Sequence, residues 1–283
     1  MDAKESTTAE LLNKIVTATR IVDLTVLLEP NTPSGVIGGL QMQMGPNIWY
    51  TWPGDIRHHE KYPGKKPTDW RACEFLLVHG DHTGTHMDSP AHYVPVGEKV
   101  PPADQWQAFL DGKYTVDDVP LDILMGPACV IDVRYLLEGV KPGEHSTLEM
   151  SPWITVEDIK RWEEKHGPIR EGEIVLFYTS WSDLHYKPYD EGHKYDMSHP
   201  ALSADGVACL GQRGVKHVGI DAVGIGSLWD DYSPHYALFE RKMIVTEKLV
   251  NLGQLPPRGA YFIFLPLKIR WVTGGMGRAI ALV

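Results

Sequence analysis

Fourteen residues, HGDHTGTHMDSPAH from His79 to His92, restrict this chain more than any other feature. They follow the apolar run CEFLLV and hold His82, His86, Asp88 and His92 in the spacing HxxxHxDxxxH. A continuous helix would align His82 with His86 but rotate Asp88 off that face. Gly84 and Pro90 also disfavour a helix interior. All four positions share one parity, so extended backbone points them to the same side. Gly84 and Pro90 then bend the ends towards a common point. The segment is expected to be a strand that turns into a loop with one polar face. His79 and Asp81 have the opposite parity and are expected to be structural or to orient a ligand imidazole.

Two imidazoles and a carboxylate on one side suit Zn²⁺ or Mn²⁺. Three protein ligands with an open position make a catalytic site, because a bound water drops from a pKa of about 15.7 to about 7 and supplies hydroxide at neutral pH. His92, the fourth member, is expected to carry the proton, since a free imidazole titrates near neutrality. One histidine in a polar loop would mean little. Four chelating side chains of one parity behind an apolar strand point to a metal.

The remaining chain supplies a strand-rich frame. IVDLTVLL (21–28), CEFLLVH (73–79), ACVIDV (128–133), EIVLFY (173–178), HVGID (217–221), KMIVTE (242–247), YFIFLPL (261–267) and RAIALV (278–283) read as strands. Helices are expected at 7–18, at 155–167 with Thr155 and Asp158 capping the first turn, and after Pro200 with Ser203 as cap. The 34–69 segment, rich in Gly, Pro and aromatics, shows no regular pattern and reads as a binding loop or lid. Strands outnumber helices without regular alternation, so the pattern implies a mixed α/β domain over 21–283, preceded by a helical extension at 1–20.

A formal charge of −10 argues against nucleic acid or an anionic membrane as partner. Cys73, Cys129 and Cys209 are isolated and odd in number, which fits reduced thiols in a cytoplasmic protein. The N-terminus has neither the cationic start nor the apolar run of a signal peptide, and no stretch approaches the roughly 18 apolar residues that span a bilayer.

The run HTGTHMDSPAH, His82 to His92, resembles the HxGTHxDxPxH signature of the cyclase-like metal-dependent hydrolases, a family that includes kynurenine formamidases and isatin hydrolases. IVDLTVLLEPNTP at 21–33, WPGD at 52–55, HPALS at 199–203 and VGIDAVG at 218–224 resemble further landmarks of that family. Here about eighteen residues separate the first two, where the family's spacing is close. The order TVEDIKRWEEKHG, GEIVLFYTSW, PLKIRWVTG and terminal ALV resembles isatin hydrolases in particular.

The resemblance implies a strand-rich, swivelling β/β/α fold and a homodimer or homotetramer. It also implies one or two divalent ions: His82, His86 and Asp88 hold one, and in the dinuclear type Asp88 bridges to a second held by His235 and Glu247, twelve residues apart. With one ion, it implies that Glu247 is a hydrogen-bonding or acid–base group near the substrate. Neither His235 nor Glu247 stands out without it. Trp52, within WPGD, together with Trp49, Trp70 and Trp229, is expected to wall an aromatic substrate pocket.

The reading that follows is a metal-dependent amidohydrolase. It cleaves a C–N amide bond in a cyclic aromatic amide, lactam or imide by attack of metal-bound hydroxide, with His92 as proton shuttle. The alternatives are an arylformamidase acting on N-formylkynurenine-like substrates and a non-catalytic metal or ligand-binding protein on the same scaffold.

Overall fold

The computed structural model describes residues 6–28, 47–51, 74–78, 80–93, 113–138, 151–187, 195, 198–227 and 232–283. In chain order the elements are α1 (Thr8–Ala18), β1 (Ile21–Asp23), β2 (Asn47–Thr51), β3 (Glu74–Val78), β4 (His86–Asp88), β5 (Met125–Asp132), β6 (Trp153–Ile154), α2 (Val156–His166), β7 (Ile174–Tyr178), α3 (Trp181–His185), β8 (Ala201–Leu202), α4 (Ala204–Gln212), β9 (His217–Ile220), α5 (Ser233–Phe239), β10 (Ile244–Glu247), β11 (Arg258–Pro266) and β12 (Gly274–Leu282).

Apolar side chains on both faces of the strands dictate the layering. On β5, Ala128 and Val130 join one core while Cys129 and Ile131 join another. The main sheet runs β1-β12-β11-β5-β7-β9-β10-β4, and β4 also pairs with β12, so the sheet closes on itself. Its inner face is packed by Met87, Ala128, Val130, Leu176, Ile244, Phe262, Phe264 and Ala281. On the outer side, Cys129, Ile131, Val175, Phe177, Val218 and Val245 pack with α2, α4 and α5 through Ile159, Val207, Leu210 and Leu238. The architecture is the expected strand-rich, mixed α/β type.

The expectation of no regular strand–helix alternation fails in the middle of the chain. Strands β5, β7, β9 and β10 are parallel neighbours. Parallel neighbours need crossovers, and α2, then α3 and α4, then α5 fill them. The pattern is hidden because α3 and α5 span five and seven residues, too few to show a helical period. Two further corrections concern strands. The 21–28 run ends as a strand at Asp23, although Leu24 and Val26 stay buried and Thr25 bridges to Leu249. The 34–69 segment contains β2, antiparallel to β3; a five-residue strand gains its stability from its partner, which local composition does not reveal.

The longer helices begin where capping chemistry predicts. In α2, Thr155 and Asp158 form a reciprocal capping box, and Gly167 ends the helix at φ 84°. Ser203 accepts the Gly206 N–H at the start of α4. Thr7 and Glu10 cap α1, which buries none of its residues and leaves Leu11, Leu12, Ile15 and Val16 exposed. Among the described residues no helix is long and apolar enough to cross a membrane.

His217 on β9 points into the closed sheet. Its Nδ1 donates to the Ile123 carbonyl at 2.8 Å, and its Nε2 faces the Thr246 hydroxyl at 2.7 Å. Burial pushes this imidazole down from 6.5 to about 4. The unfolded chain therefore takes up a proton here between those two values and the folded chain does not. Stability is fully present above about pH 6.5 and is lost as pH falls towards 4. At pH 5 the loss amounts to about 2 kcal/mol from this residue. Denaturant midpoints measured from pH 7 to pH 5 should fall less steeply in His217→Gln than in the unsubstituted protein. Parallel slopes would refute the assignment.

Candidate metal centre

Strand β4 carries His86 and Asp88 on one face and Met87 on the other, and Met87 is fully buried in the inner core. The shared-parity argument holds for His86 and Asp88 alone. His82 reaches them through a turn at Gly84, whose φ of +63° and whose fit against Leu28 leave no room for a Cβ. His92 reaches them through a single 3₁₀ turn, Pro90–His92, with Pro90 at its first position. The expected strand-into-loop thus becomes turn, short strand and 3₁₀ turn.

Register on the neighbouring strands completes the centre. Glu247, last residue of β10, lies opposite His86, and Gly274 of β12 lies opposite Asp88. A Cβ on Gly274 would come within 2.8 Å of the His82 ring, so this glycine makes space for a candidate ligand. His235 enters from α5. Ligand atoms of His82, His86 and Asp88 lie within 4.8 Å of one another, and so do those of Asp88, His235 and Glu247. Asp88 belongs to both trios.

Electrostatics test whether these residues suit a cation. His86 Nδ1 donates to the Gly84 carbonyl at 2.8 Å, so its Nε2 presents a bare lone pair when the ring is neutral. Burial, followed by the nearby Lys248, pushes His86 below the usual imidazole range and favours that neutral form. Yet Nε2 lies 3.1 Å from Asp88 Oδ1 and 3.6 Å from Glu247 Oε2. Three acceptors face one another with no hydrogen between them, an arrangement that a divalent ion relieves. Burial alone would raise Asp88, but His82, His92 and His86 hold it well below the usual carboxylate range. Burial disfavours a charged His82, but Asp88 at 2.7 Å prevails and raises it. Two imidazoles and carboxylates fit Zn²⁺ or Mn²⁺.

Surrounding hydrogen bonds anchor the ligand loop. The Thr85 hydroxyl accepts the Val26 N–H and donates to the Lys248 carbonyl, while Lys248 Nζ donates to the His82 carbonyl at 2.9 Å. Asp81 Oδ2 accepts the Thr273 and Gly274 N–H groups, pinning the start of β12. Its other oxygen is 3.7 Å from His82 Nε2. The Ile225 N–H donates to Glu247 Oε1 at 2.7 Å.

His92 lies beside the trios. Its ring is 3.8 Å from that of His82, and its Nε2 is 3.9 Å from Asp88 Oδ2, beyond hydrogen-bonding range. Burial pushes it below the usual imidazole range against the pull of Asp88, so its ring is neutral at pH 7 and keeps a free lone pair.

Sequence reasoning missed the aromatic group at this centre. Tyr93 stacks on His235 at 4.6 Å and meets Tyr232, Tyr236 and Phe239 at 5.2, 5.7 and 6.0 Å. Burial, with Asp88 and Glu247 nearby, raises Tyr93 and keeps its phenol protonated. Adjacency to His92 and His235 in the chain was the available signal. Of the expected pocket tryptophans, Trp49 lies on β2, and Trp52, Trp70 and Trp229 lie outside the described residues, as does His79.

Comparison with known proteins agrees with this frame. Over 274 residues the chain is 28% identical to the isatin hydrolase of Roseibium aggregatum, covering 93% of this chain and 91% of that protein. It is 29% identical over 220 residues to the kynurenine formamidase of Salinibacter ruber, covering 77% and 84%. Among solved structures, isatin hydrolase A from Labrenzia aggregata bound to benzyl benzoate matches with a TM-score of 0.72 at 27% identity, covering 98% of this chain and 99% of that one. With the Cyclase family model matching residues 22–227, the chain belongs to the Cyclase family.

Proposed function

We propose that this chain is a metal-dependent hydrolase that cleaves the C–N amide bond of a cyclic aromatic amide, lactam or imide. The observation that carries the reading is the convergence of ligand atoms of His82, His86 and Asp88 within 4.8 Å of one another, with His92 alongside. Near end-to-end similarity to an isatin hydrolase supports the substrate class. His82, His86 and Asp88 would hold one ion and Asp88, His235 and Glu247 a second, Zn²⁺ or Mn²⁺ by donor type. Such an ion polarises a carbonyl and acidifies water.

The protein's own groups do the rest. His92 Nε2 takes the proton of the attacking water and hands it to the departing nitrogen, so the C–N bond breaks to a carboxylate and an amine, or an amide where the substrate is an imide. In a cyclic substrate both products stay on one molecule. Tyr93, Tyr232 and Tyr236 offer ring faces for an aromatic substrate beside the ligands. The tryptophans at 49, 52, 70 and 229 remain part of the proposed pocket.

A second reading, an arylformamidase, draws support from the complete Asp88–His235–Glu247 trio and the similarity to a kynurenine formamidase. Turnover of isatin and of N-formylkynurenine by the same preparation separates the two. The proposed function expects isatin to be the better substrate by kcat/KM, and hydrolysis to fall to background after chelation and return with Mn²⁺ or Zn²⁺. Full activity in chelated protein would end both readings. The reverse substrate order would favour the formamidase, and ion binding without turnover of any amide would favour a binding protein.

A further inference from the structure

His199 is buried at 1% exposure, and no catalytic or ligand role uses it. Its Nε2–H donates to the Gly226 carbonyl at 2.8 Å, which makes Nδ1 the bare nitrogen. That Nδ1 is buried without a hydrogen bond of good geometry among the described residues, and the Gly224 backbone is the further polar group near this ring. An orphaned buried nitrogen costs stability, so packing alone does not explain a histidine here. An apolar side chain of similar size would fill the space at no such cost.

The carbonyl it holds belongs to the segment 224–227, which touches both residues of the second half of the centre. The Ile225 N–H donates to Glu247 Oε1 at 2.7 Å, and a Cβ placed on Gly224 would stand 3.4 Å from the same carboxylate. Gly226 lies so close to His235 that a Cβ would stand 2.8 Å from Nδ1. One peptide stretch therefore orients the Glu247 carboxylate and backs the His235 ring. Further bonds hold this stretch to the fold, among them Leu202 N–H to the Ile225 carbonyl and the Ser227 hydroxyl to the Ser151 hydroxyl. Loss of His199 would release the Gly226 carbonyl while these bonds still tie the stretch to the fold.

We propose that His199 is a positioning residue for the second ion: through Gly226 it fixes the backbone that aims Glu247 and supports His235, while the His82–His86–Asp88 trio is independent of it. This rests on the reading that Asp88, His235 and Glu247 together take an ion. His82, His86 and Asp88 are fixed by Gly84, Thr85 and Lys248 and share none of these contacts.

The test dialyses holoprotein against rising chelator and follows the metal-to-protein ratio by elemental analysis. Unsubstituted protein should release two ions. In His199→Leu one ion should leave at a chelator concentration lower by about tenfold or more, while the other stays as tight as before. His199→Gln, which keeps an N–H donor near the position of Nε2, should recover most of that loss. The thermal midpoint of chelated His199→Leu should not fall below that of chelated unsubstituted protein. Gly226→Ala, which crowds His235, should loosen the same ion. Two ions in both proteins with equal retention would overturn the role of His199, as would equal loosening of both ions. A single ion in unsubstituted protein, insensitive to Glu247→Gln, would overturn the two-ion reading itself.

Discussion

Replacing Asp88 with Asn is expected to remove bound metal and to reduce hydrolysis to background. Asp88 is the residue common to both trios, and it is 1% exposed. His82 and His86 bring no negative charge, so without Asp88 the first trio has nothing to offset the charge of a divalent ion. The second trio keeps Glu247 but loses its bridge. An Asn side chain preserves shape and one acceptor oxygen, which separates charge from packing. Residues that merely hydrogen-bond to a ligand cost about 10- to 100-fold in affinity when removed, and a shared anionic ligand should cost more than that. Elemental analysis should find metal in the unsubstituted protein and little in Asp88→Asn after one dialysis. Asp81→Asn is the matched control: it disturbs the start of β12 and should leave most of the metal in place. Retention of the full metal content by Asp88→Asn would refute this centre.

How much of this was legible in the sequence depends on distance along the chain. Helices α2 and α4 are announced by Thr155, Asp158, Gly167 and Ser203, whose effects act within four residues. Long apolar runs such as EIVLFY announce strands because burial on both faces demands them. Neither signal says which strands adjoin. That β4 bridges β10 and β12 depends on contacts more than 150 residues apart in sequence, and these contacts set Glu247 opposite His86.

The candidate ligands divide in the same way. His82, His86 and Asp88 lie within seven residues, so spacing and parity expose them. His235 and Glu247 sit on a seven-residue helix and a strand end, and only a family resemblance singled them out. The parity argument was sound for β4 and wrong for its flanks, because Gly84 at positive φ resets the direction of the chain. Gly274 carried no local signal, and Tyr93 only its place next to His92. One is defined by the space it leaves for His82, the other by its stacking on His235.

His92→Ala should separate binding from chemistry. The His92 ring packs 3.8 Å from His82, and neither trio includes it. Truncation removes one imidazole and leaves His82 Nδ1 on Asp88 and His86 Nδ1 on Gly84. Metal content should therefore stay at the unsubstituted level. Turnover should fall by roughly 10²- to 10⁴-fold, the range expected when a general acid–base group is lost. The fall should appear in kcat more than in KM, because a proton carrier acts in the transition state and contributes little to substrate binding. His92→Gln retains a polar side chain of similar reach that cannot carry a proton, so it should be as slow as His92→Ala. Recovery of activity in His92→Gln would mean that His92 orients the substrate or water by hydrogen bonding. Loss of metal in His92→Ala would make it a ligand, and unchanged turnover would leave the proton without its carrier.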